Sequence, residues 1–176
     1  MNFETLKAAL PDYAKDLKLN LGSLSNETSL NDQQKWGTFL ACAFAVGEAT
    51  TIRAILSECE VKLTPEAIKA TKAASAIMSM NNVYYRFTHL VHNEVYLTTP
   101  AKLRMQVIGA PGIDKADFEL FCMAVSAVNG CGKCMDAHEE ELRKAGFTTE
   151  QIQASVRISA VVNGVARTLA AEAAIA

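Results

Sequence analysis

The chain of 176 residues has the length of one ordinary domain, and half of its residues are hydrophobic, so it can bury a core without disulfide or metal staples. Its net charge of -2 and the lack of any Lys/Arg block argue against nucleic-acid binding, because no cluster of cations could replace the phosphate counterions. Glycine and proline are sparse while Ala, Leu, Glu and Lys dominate, which favours a mostly helical protein.

The amino terminus lacks the basic start and apolar run of a signal peptide. No uncharged apolar run reaches the ~18 residues typical of a membrane span. We therefore expect a soluble, cytoplasmic protein with no membrane partner. In that reducing compartment a Cys-x-x-Cys pair is more often redox-active or metal-binding than structural, and an odd total of five cysteines argues against a disulfide framework.

The amino-terminal part of the chain predicts three helices. Apolar residues recur at spacings of three and four over residues 2–24, so we expect two short amphipathic helices, with Pro11 opening the second. After a polar connector, Ser29 or Asn31 can cap a strongly apolar helix that ends near Gly47.

The central part predicts two more helices and then a break. Residues 48–60 continue with one apolar face. Thr64 followed by Pro65 is a strong helix start, and that helix is expected to run toward Tyr85. Residues 86–100 are the least periodic part of the chain, so we predict a loop or a broken helix there.

The carboxyl-terminal part contains the strongest stop signals. The pattern predicts a short helix over residues 103–108 and a turn over residues 109–112. Three longer helices are predicted over residues 118–128, over residues 131–144 and from Thr148 onward. Asp114 or Asp117 caps the first long helix, and an Asn-Gly pair ends it.

An internal duplication organises these elements. A shift of 84 residues lays Thr64 on Thr148 and Ile68 on Ile152, and the order of elements repeats as well. We therefore predict an all-α fold with a single domain over residues 1–176. It would consist of amino-terminal helices over residues 1–30, a first three-helix unit over residues 31–86 and a second three-helix unit over residues 114–170. Only the second unit carries a Cys-x-x-Cys pair.

The chemistry is expected in the segment from Cys131 to His138. Cys131 and Cys134 follow the Asn-Gly helix break and should lie in the first turn of the next helix. Unpaired backbone N–H groups and the positive end of the helix dipole stabilise a thiolate there. Lys133 adds a nearby positive charge, and Gly132, which has no side chain, lets another molecule approach the sulfurs.

Two further side chains complete a possible proton relay. His138 is four residues after Cys134, on the same helical face, where it can take a proton from a thiol or return one to a leaving alkoxide. Glu119 has apolar neighbours in the preceding helix and is expected to be partly buried. A helical hairpin could bring it beside Cys134 or His138, which would form a carboxylate–histidine–thiol relay.

Other side chains are predicted to have structural roles. These are the core cysteines, the loop histidines, and the methionine and tyrosine pairs, namely Cys42, Cys59, Cys122, His89, His92, Met78, Met80, Tyr84 and Tyr85. A zinc site would need four ligands, whereas the motif supplies two Cys and one His, so no metal is expected.

The chain closely resembles the AhpD alkylhydroperoxidases, within the carboxymuconolactone decarboxylase-like superfamily. The resemblance spans nearly the whole length and is carried by residues 6–16 (LKAALPDYAKD), residues 76–86 (AIMSMNNVYYR), residues 118–120 and the motif over residues 131–138. A Cys-x-x-Cys-x-x-x-His pattern alone would suggest only the superfamily. The first two segments make the resemblance to AhpD specific.

The resemblance implies a lipoyl-dependent peroxidase with an all-helical fold and a homotrimeric assembly. Such proteins reduce organic hydroperoxides and regenerate an AhpC-type peroxiredoxin. Their electrons come through the dihydrolipoyl group of a lipoylated dihydrolipoamide acyltransferase, so no tightly bound cofactor is expected.

The resemblance also implies unequal roles for the two cysteines. By position, Cys134 is similar to the cysteine that forms a sulfenic acid, and Cys131 to the proton donor and resolving thiol, so that the pair forms a redox-active disulfide. Glu119 and His138 match the relay residues. Lys133 departs from the pattern of those members that have histidine immediately before the second cysteine.

Two other functions stay open at this point. The protein could be a dedicated disulfide reductant of a peroxiredoxin with little peroxidase activity of its own. It could also be a metal-binding or redox-sensing interaction module.

Overall fold

The computed structural model describes residues 2–176, and all regular elements within them are helices. These are α1 (Phe3–Ala8), α2 (Lys15–Ser25), α3 (Asp32–Val46), α4 (Ala49–Lys62), α5 (Pro65–Leu90), α6 (Val95–Thr98), α7 (Gln106–Gly109), α8 (Lys115–Asn129), α9 (Gly132–Lys144) and α10 (Thr149–Ile175). A 3₁₀ turn over Asp12–Ala14 follows Pro11 and leads into α2. The predicted all-α class is confirmed.

Most helix boundaries follow the capping signals in the sequence. Asn31 accepts a hydrogen bond from the backbone of Gln34 at 2.8 Å and so begins α3. Thr64 caps α5 with Pro65 in the first turn. Gly47 ends α3 in the left-handed conformation, with φ of 83°. These three predicted boundaries are confirmed.

The end of α5 and the region after it agree in part with the predictions. Residues 86–90 continue α5 and a break over residues 91–94 precedes α6, which confirms the predicted broken helix, but His89 is helical rather than part of a loop. The weak apolar pattern arises because only Thr88 is buried in this last turn of α5. The short helix expected over residues 103–108 is limited to α7, and Gly109 belongs to it rather than to the following turn.

The core lies where α3, α5, α8 and α10 pack against one another, and α9 lies on α8 and α5. Gly37 of α3 lets the Phe121 ring of α8 pack against the α3 backbone, because a methyl group at this position would overlap that ring. Helices α8, α9 and α10 begin 83 or 84 residues after α3, α4 and α5. The internal duplication and the bounds of its two units stay predictions.

Helix α10 is long and apolar enough, by length and composition alone, to cross a membrane. Core helices of soluble proteins pass the same test, and one face of α10, including Ile158, Val162 and Val165, lies in the hydrophobic core. The expected cytoplasmic location stays a prediction.

Candidate active site

The reversal of the chain between α8 and α9 places both cysteines of the motif. Gly130 ends α8 in the left-handed conformation, with φ of 68°, and Cys131 then occupies the N-cap position of α9. Cys134 follows in the first turn. The two sulfurs form a disulfide, with their Cα atoms 5.3 Å apart. The predicted pairing and the predicted place at a helix start are both confirmed.

A polar network from α5 fixes the turn that precedes Cys131. The Asn82 side chain donates to the Ser126 hydroxyl at 2.9 Å and accepts from the Asn129 amide at 2.9 Å. Arg86 donates to the backbone oxygen of Asn129 at 2.6 Å. The backbone N–H of Cys131 donates to the backbone oxygen of Ser126 at 3.1 Å. Helix α5 therefore helps to determine where α9 begins, and with it the position of the cysteines.

The α8–α9 hairpin brings Glu119 beside His138, as predicted. Nδ1 of His138 lies 2.6 Å from Oε2 of Glu119, and both residues are buried, at 8% and 5% exposure. A carboxylate oxygen accepts hydrogen bonds, so the Nδ1–H of His138 donates to it. This bond orients the ring and leaves Nε2 on the opposite edge, where it lies 3.2 Å from Sδ of Met78.

A cavity of about 260 Å³ brings Cys134 and His138 to a common wall. Helix α9 supplies both, together with Lys133 and Ala137. Cys131 is not among the lining residues and is fully buried, whereas Cys134 retains 6% exposure. Of the two disulfide sulfurs, that of Cys134 is therefore the one that a molecule in the cavity would meet.

The opposite wall of the cavity was missed by sequence reasoning. Helix α5 contributes Met78, Asn81 and Tyr85, and the N-cap and body of α7 contribute Met105 and Ile108. The spacing of three and four between the α5 residues places them on one helical face. Met78 is a core residue, as predicted, but it also contacts His138. The signal was present because all three lie in the segment over residues 76–86 that carried the resemblance.

Glu119 faces away from the cavity, toward a polar surface groove. Glu119, Lys115, Glu141 and Lys144 line that groove. Lys144 donates a hydrogen bond to Glu141 at 2.9 Å. This hydrogen bond is the largest cause of the lowered pKa of the Glu141 carboxyl. The His138–Glu119 pair thus lies between an apolar cavity on one side and a charged groove on the other.

Comparisons with known proteins identify the family of this chain. The model of the carboxymuconolactone decarboxylase family matches residues 95–176, which include both cysteines of the motif. Alkyl hydroperoxide reductase AhpD of Hyphomonas neptunium is 66% identical over 176 residues, covering 100% of this chain and 98% of that protein. The chain belongs to the AhpD family.

Two further relatives lead to the same family. AhpD of Maricaulis maris is 64% identical over 172 residues, covering 98% of this chain and 99% of that protein. AhpD of Methylocella silvestris is 56% identical over 171 residues, covering 97% of this chain and 96% of that protein. The resemblance identified from the sequence is therefore confirmed, and this AhpD chain lies within the carboxymuconolactone decarboxylase-like superfamily.

Lys133 of this AhpD chain lies between the cysteines and above an aromatic ring. Its ammonium is 5.9 Å from the centre of the Tyr85 ring, a cation–π arrangement that holds the charge at the cavity wall. That Lys133 favours the thiolate by its charge stays a prediction.

The three other cysteines are buried free thiols, as predicted. Burial raises the pKa of Cys42 and of Cys59 to about 12, and it raises the pKa of Cys122 well above its usual range. Within residues 2–176 no three His, Cys, Asp or Glu side chains are grouped so that they could hold a metal ion.

Brief alkylation of the reduced, folded protein is expected to spare Cys42, Cys59 and Cys122. Iodoacetamide reacts with thiolates, and at pH 8 a thiol with a pKa of about 12 is ionised in only about one molecule in 10⁴. Peptide mass spectrometry after a short treatment measures the sites. Protein unfolded in guanidinium is the control and should be labelled at all five cysteines. Rapid labelling of Cys42 in folded protein would contradict the prediction.

Proposed function

We propose that this chain is a thiol-dependent alkyl hydroperoxide reductase. The observation that carries the proposal is the common cavity wall of Cys134 and His138, with His138 hydrogen-bonded to buried Glu119. A reactive thiol next to an oriented imidazole is the arrangement that nucleophilic catalysis needs. The names of the relatives, alkyl hydroperoxide reductase, support the same function.

In the first step of the proposed reaction, His138 takes the proton of the reduced Cys134 thiol. The Cys134 thiolate attacks the terminal peroxide oxygen, an S–O bond forms as the O–O bond breaks, and the alkoxide takes the proton of the Cys131 thiol. The Cys131 thiolate then attacks the sulfur of the Cys134 sulfenic acid. The S–S bond forms as the S–O bond breaks, and the hydroxide leaves as water with the proton held by His138.

The position of Cys134 at the start of α9 supports its assignment as the attacking sulfur. Its place in the first helical turn exposes it to the positive end of the helix dipole. It lines the cavity, whereas Cys131 is fully buried behind it. Cys131, in contact with the Cys134 sulfur, suits the roles of proton donor and resolving thiol.

The contacts of the cavity favour a hydroperoxide with an organic group. Met78, Met105 and Ile108 present apolar surface beside Cys134 and His138. Burial of an alkyl or aryl group there contributes binding free energy of about 25 cal/mol per Å². Hydrogen peroxide has no such group, so we propose organic hydroperoxides as the substrates.

We further propose that a dihydrolipoyl group restores the dithiol, with no tightly bound cofactor. One of its thiolates attacks the Cys134 sulfur from the cavity, Cys131 leaves as a thiolate, and the second dihydrolipoyl thiol then releases Cys134 and closes its own disulfide. The resemblance supports a lipoylated dihydrolipoamide acyltransferase as the donor and an AhpC-type peroxiredoxin as a second partner. It also supports a cytoplasmic location.

A homotrimer is part of the same proposal. Val83, Phe87 and Leu90 of α5 are exposed at spacings of four and three, and Val95 and Leu97 of α6 are exposed just beyond them. Exposed apolar side chains that lie together on one face favour association. Sedimentation equilibrium measures the assembly, and a monomer at micromolar concentration would contradict it.

A peroxidase assay with dihydrolipoamide as the sole reductant tests the function. We expect the wild-type chain to consume cumene hydroperoxide without any added peroxiredoxin. Protein that is reduced and then alkylated provides the control and should be inactive. Turnover that requires the peroxiredoxin would instead indicate a dedicated disulfide reductant, and bound zinc without turnover would indicate a metal-binding module.

A further inference from the structure

Asn81 is an asparagine in the cavity wall that the reaction described above does not use. It lies in α5, three residues after Met78 and four before Tyr85, and it retains only 4% exposure. Its side-chain oxygen Oδ1 is buried and has no hydrogen-bond partner. An unpaired buried acceptor is unfavourable by roughly 1–3 kcal/mol, so native structures contain few of them.

The neighbouring residue makes the contrast clear. Asn82 is buried as well, but its side chain donates to Ser126 and accepts from Asn129, both at 2.9 Å. Asn82 therefore has a structural role that explains an amide within a helix. Asn81 has no such bonds, although alanine would be the better helix former at the same position. Asn81 lines the cavity, so a ligand that enters it would lie beside this unpaired amide.

We infer that the Asn81 side chain binds the peroxide group of the substrate, an inference that rests on the proposed function. A hydroperoxide carries one O–H donor and two oxygen acceptors, and a carboxamide can both accept and donate hydrogen bonds. Of the other residues that α5 gives to this wall, Met78 is apolar and the Tyr85 hydroxyl donates to Sδ of Met105 at 3.8 Å. Asn81 is thus the α5 residue in this wall whose side-chain oxygen has no partner.

Because Asn81 and Cys134 line the same cavity, the Asn81 amide affects the rate of peroxide reduction as well as peroxide binding. Helix α9 supplies Cys134 to the cavity wall, and α5 supplies Asn81. Attack on the terminal oxygen needs the sulfur in line with the O–O bond, so a group that holds the peroxide from the far wall fixes that orientation. A dithiol that reduces the disulfide has no peroxide group, so its reaction at Cys134 does not depend on this hydrogen bond.

The oxidation of the cysteine pair by peroxide and its reduction by a dithiol, measured separately, therefore distinguish peroxide binding by Asn81 from a structural role. Asn81→Ala removes the amide, and Asn81→Leu replaces its polar atoms with methyl groups on the same branched skeleton. In both variants the rate constant for oxidation of the reduced protein by cumene hydroperoxide is expected to fall at least about tenfold. The rate constant for reduction of the disulfide by dihydrolipoamide is expected to change less than about twofold. Rapid quenching and thiol counting measure both.

A matched control is available elsewhere in the chain. Ser29 also has a buried and unpaired side-chain oxygen, but it lies outside the cavity. Ser29→Ala should leave both half-reactions unchanged. Thermal unfolding of the Asn81 variants should not occur at lower temperature than in wild type, because no hydrogen bond within the protein is lost and alanine and leucine favour the helix.

Three results would overturn the inference. Unchanged oxidation in both Asn81 variants would show that the amide does not bind the peroxide. Equal losses in both half-reactions would assign Asn81 to the shape of the site. If cumene hydroperoxide does not oxidise the wild-type protein, both the proposed function and this inference are wrong. This result is distinct from the first two because it needs no substitution.

Discussion

Cys134→Ser is expected to abolish peroxide turnover, whereas Cys131→Ser is expected to stop after one equivalent. Without Cys134 no thiol lines the cavity, and the remaining cysteine of the pair is fully buried. Without Cys131 the attack can still take place, but no thiol resolves the product. The Cys131→Ser variant should therefore accumulate a sulfenic acid on Cys134. Its formation should also be slower than in wild type, because the alkoxide has lost its proton donor.

Mass spectrometry with a dimedone label measures that sulfenic acid, and a dihydrolipoamide-linked assay measures turnover. Cys122→Ser is the matched control, because Cys122 is a buried free thiol in the neighbouring helix α8 and should be dispensable for activity. Wild-type turnover in the Cys134→Ser variant would refute its assignment as the attacking sulfur. A sulfenic acid on Cys131 in that variant would reverse the two roles.

Glu119→Gln is expected to lower the rate of peroxide reduction by about 10²-fold, the lower end of the range for a positioned acid–base group. The substitution keeps the size of the side chain but removes the charge that faces Nδ1 of His138 at 2.6 Å. An amide can also present its N–H₂ group to the ring, which would turn the hydrogen bond around and favour the wrong tautomer. His138 would then be a poorer acceptor for the Cys134 proton.

The stability of the protein should respond more strongly to the loss of the whole side chain. In Glu119→Ala the buried Nδ1–H of His138 has no acceptor, and an unpaired buried donor typically lowers the free energy of unfolding by about 1–3 kcal/mol. Urea denaturation measures this difference. Stopped-flow oxidation by cumene hydroperoxide measures the effect of Glu119→Gln.

The control is a carboxylate that pairs with a cation on the surface. Glu139 lies 2.7 Å from Arg143 in α9, and both side chains are about two-fifths exposed. Glu139→Gln should change the free energy of unfolding by less than about 1 kcal/mol and leave the peroxide reaction unchanged. Equal effects of the Glu119→Gln and Glu139→Gln substitutions would refute the relay.

Several features of the site follow from contacts within one helix or one turn. The αL glycine at Gly130 ends α8, and the spacing of Cys131, Cys134 and His138 places them along the first two turns of α9. Such signals involve residues close in sequence, so they are readable before any packing is known. The prediction for Glu119 needed one more step, a hairpin between consecutive helices, and the short connection between α8 and α9 favoured it.

The α5 wall of the site could not be predicted in the same way. A polar residue in an apolar helical stretch, such as Asn81, looks the same in sequence whether it faces solvent, a structural partner or a cavity. Asn82 bonds to a structural partner, whereas Asn81 lines the cavity. Which of these environments each side chain meets depends on how α5 crosses α8 and α9. The extension of α5 to Leu90 was missed for a related reason, since a nearly solvent-exposed turn carries little periodic signal.

The helical class, most helix boundaries and the chemical identity of the motif can be read from the sequence, because they depend on capping, periodicity and spacing along the chain. Which sulfur meets the cavity, and which residues of α5 and α7 line it, depends instead on the packing of the helices. Those properties arise between helices that are distant in sequence, where the burial of Cys131, the 6% exposure of Cys134 and the unpaired amide of Asn81 are set by packing.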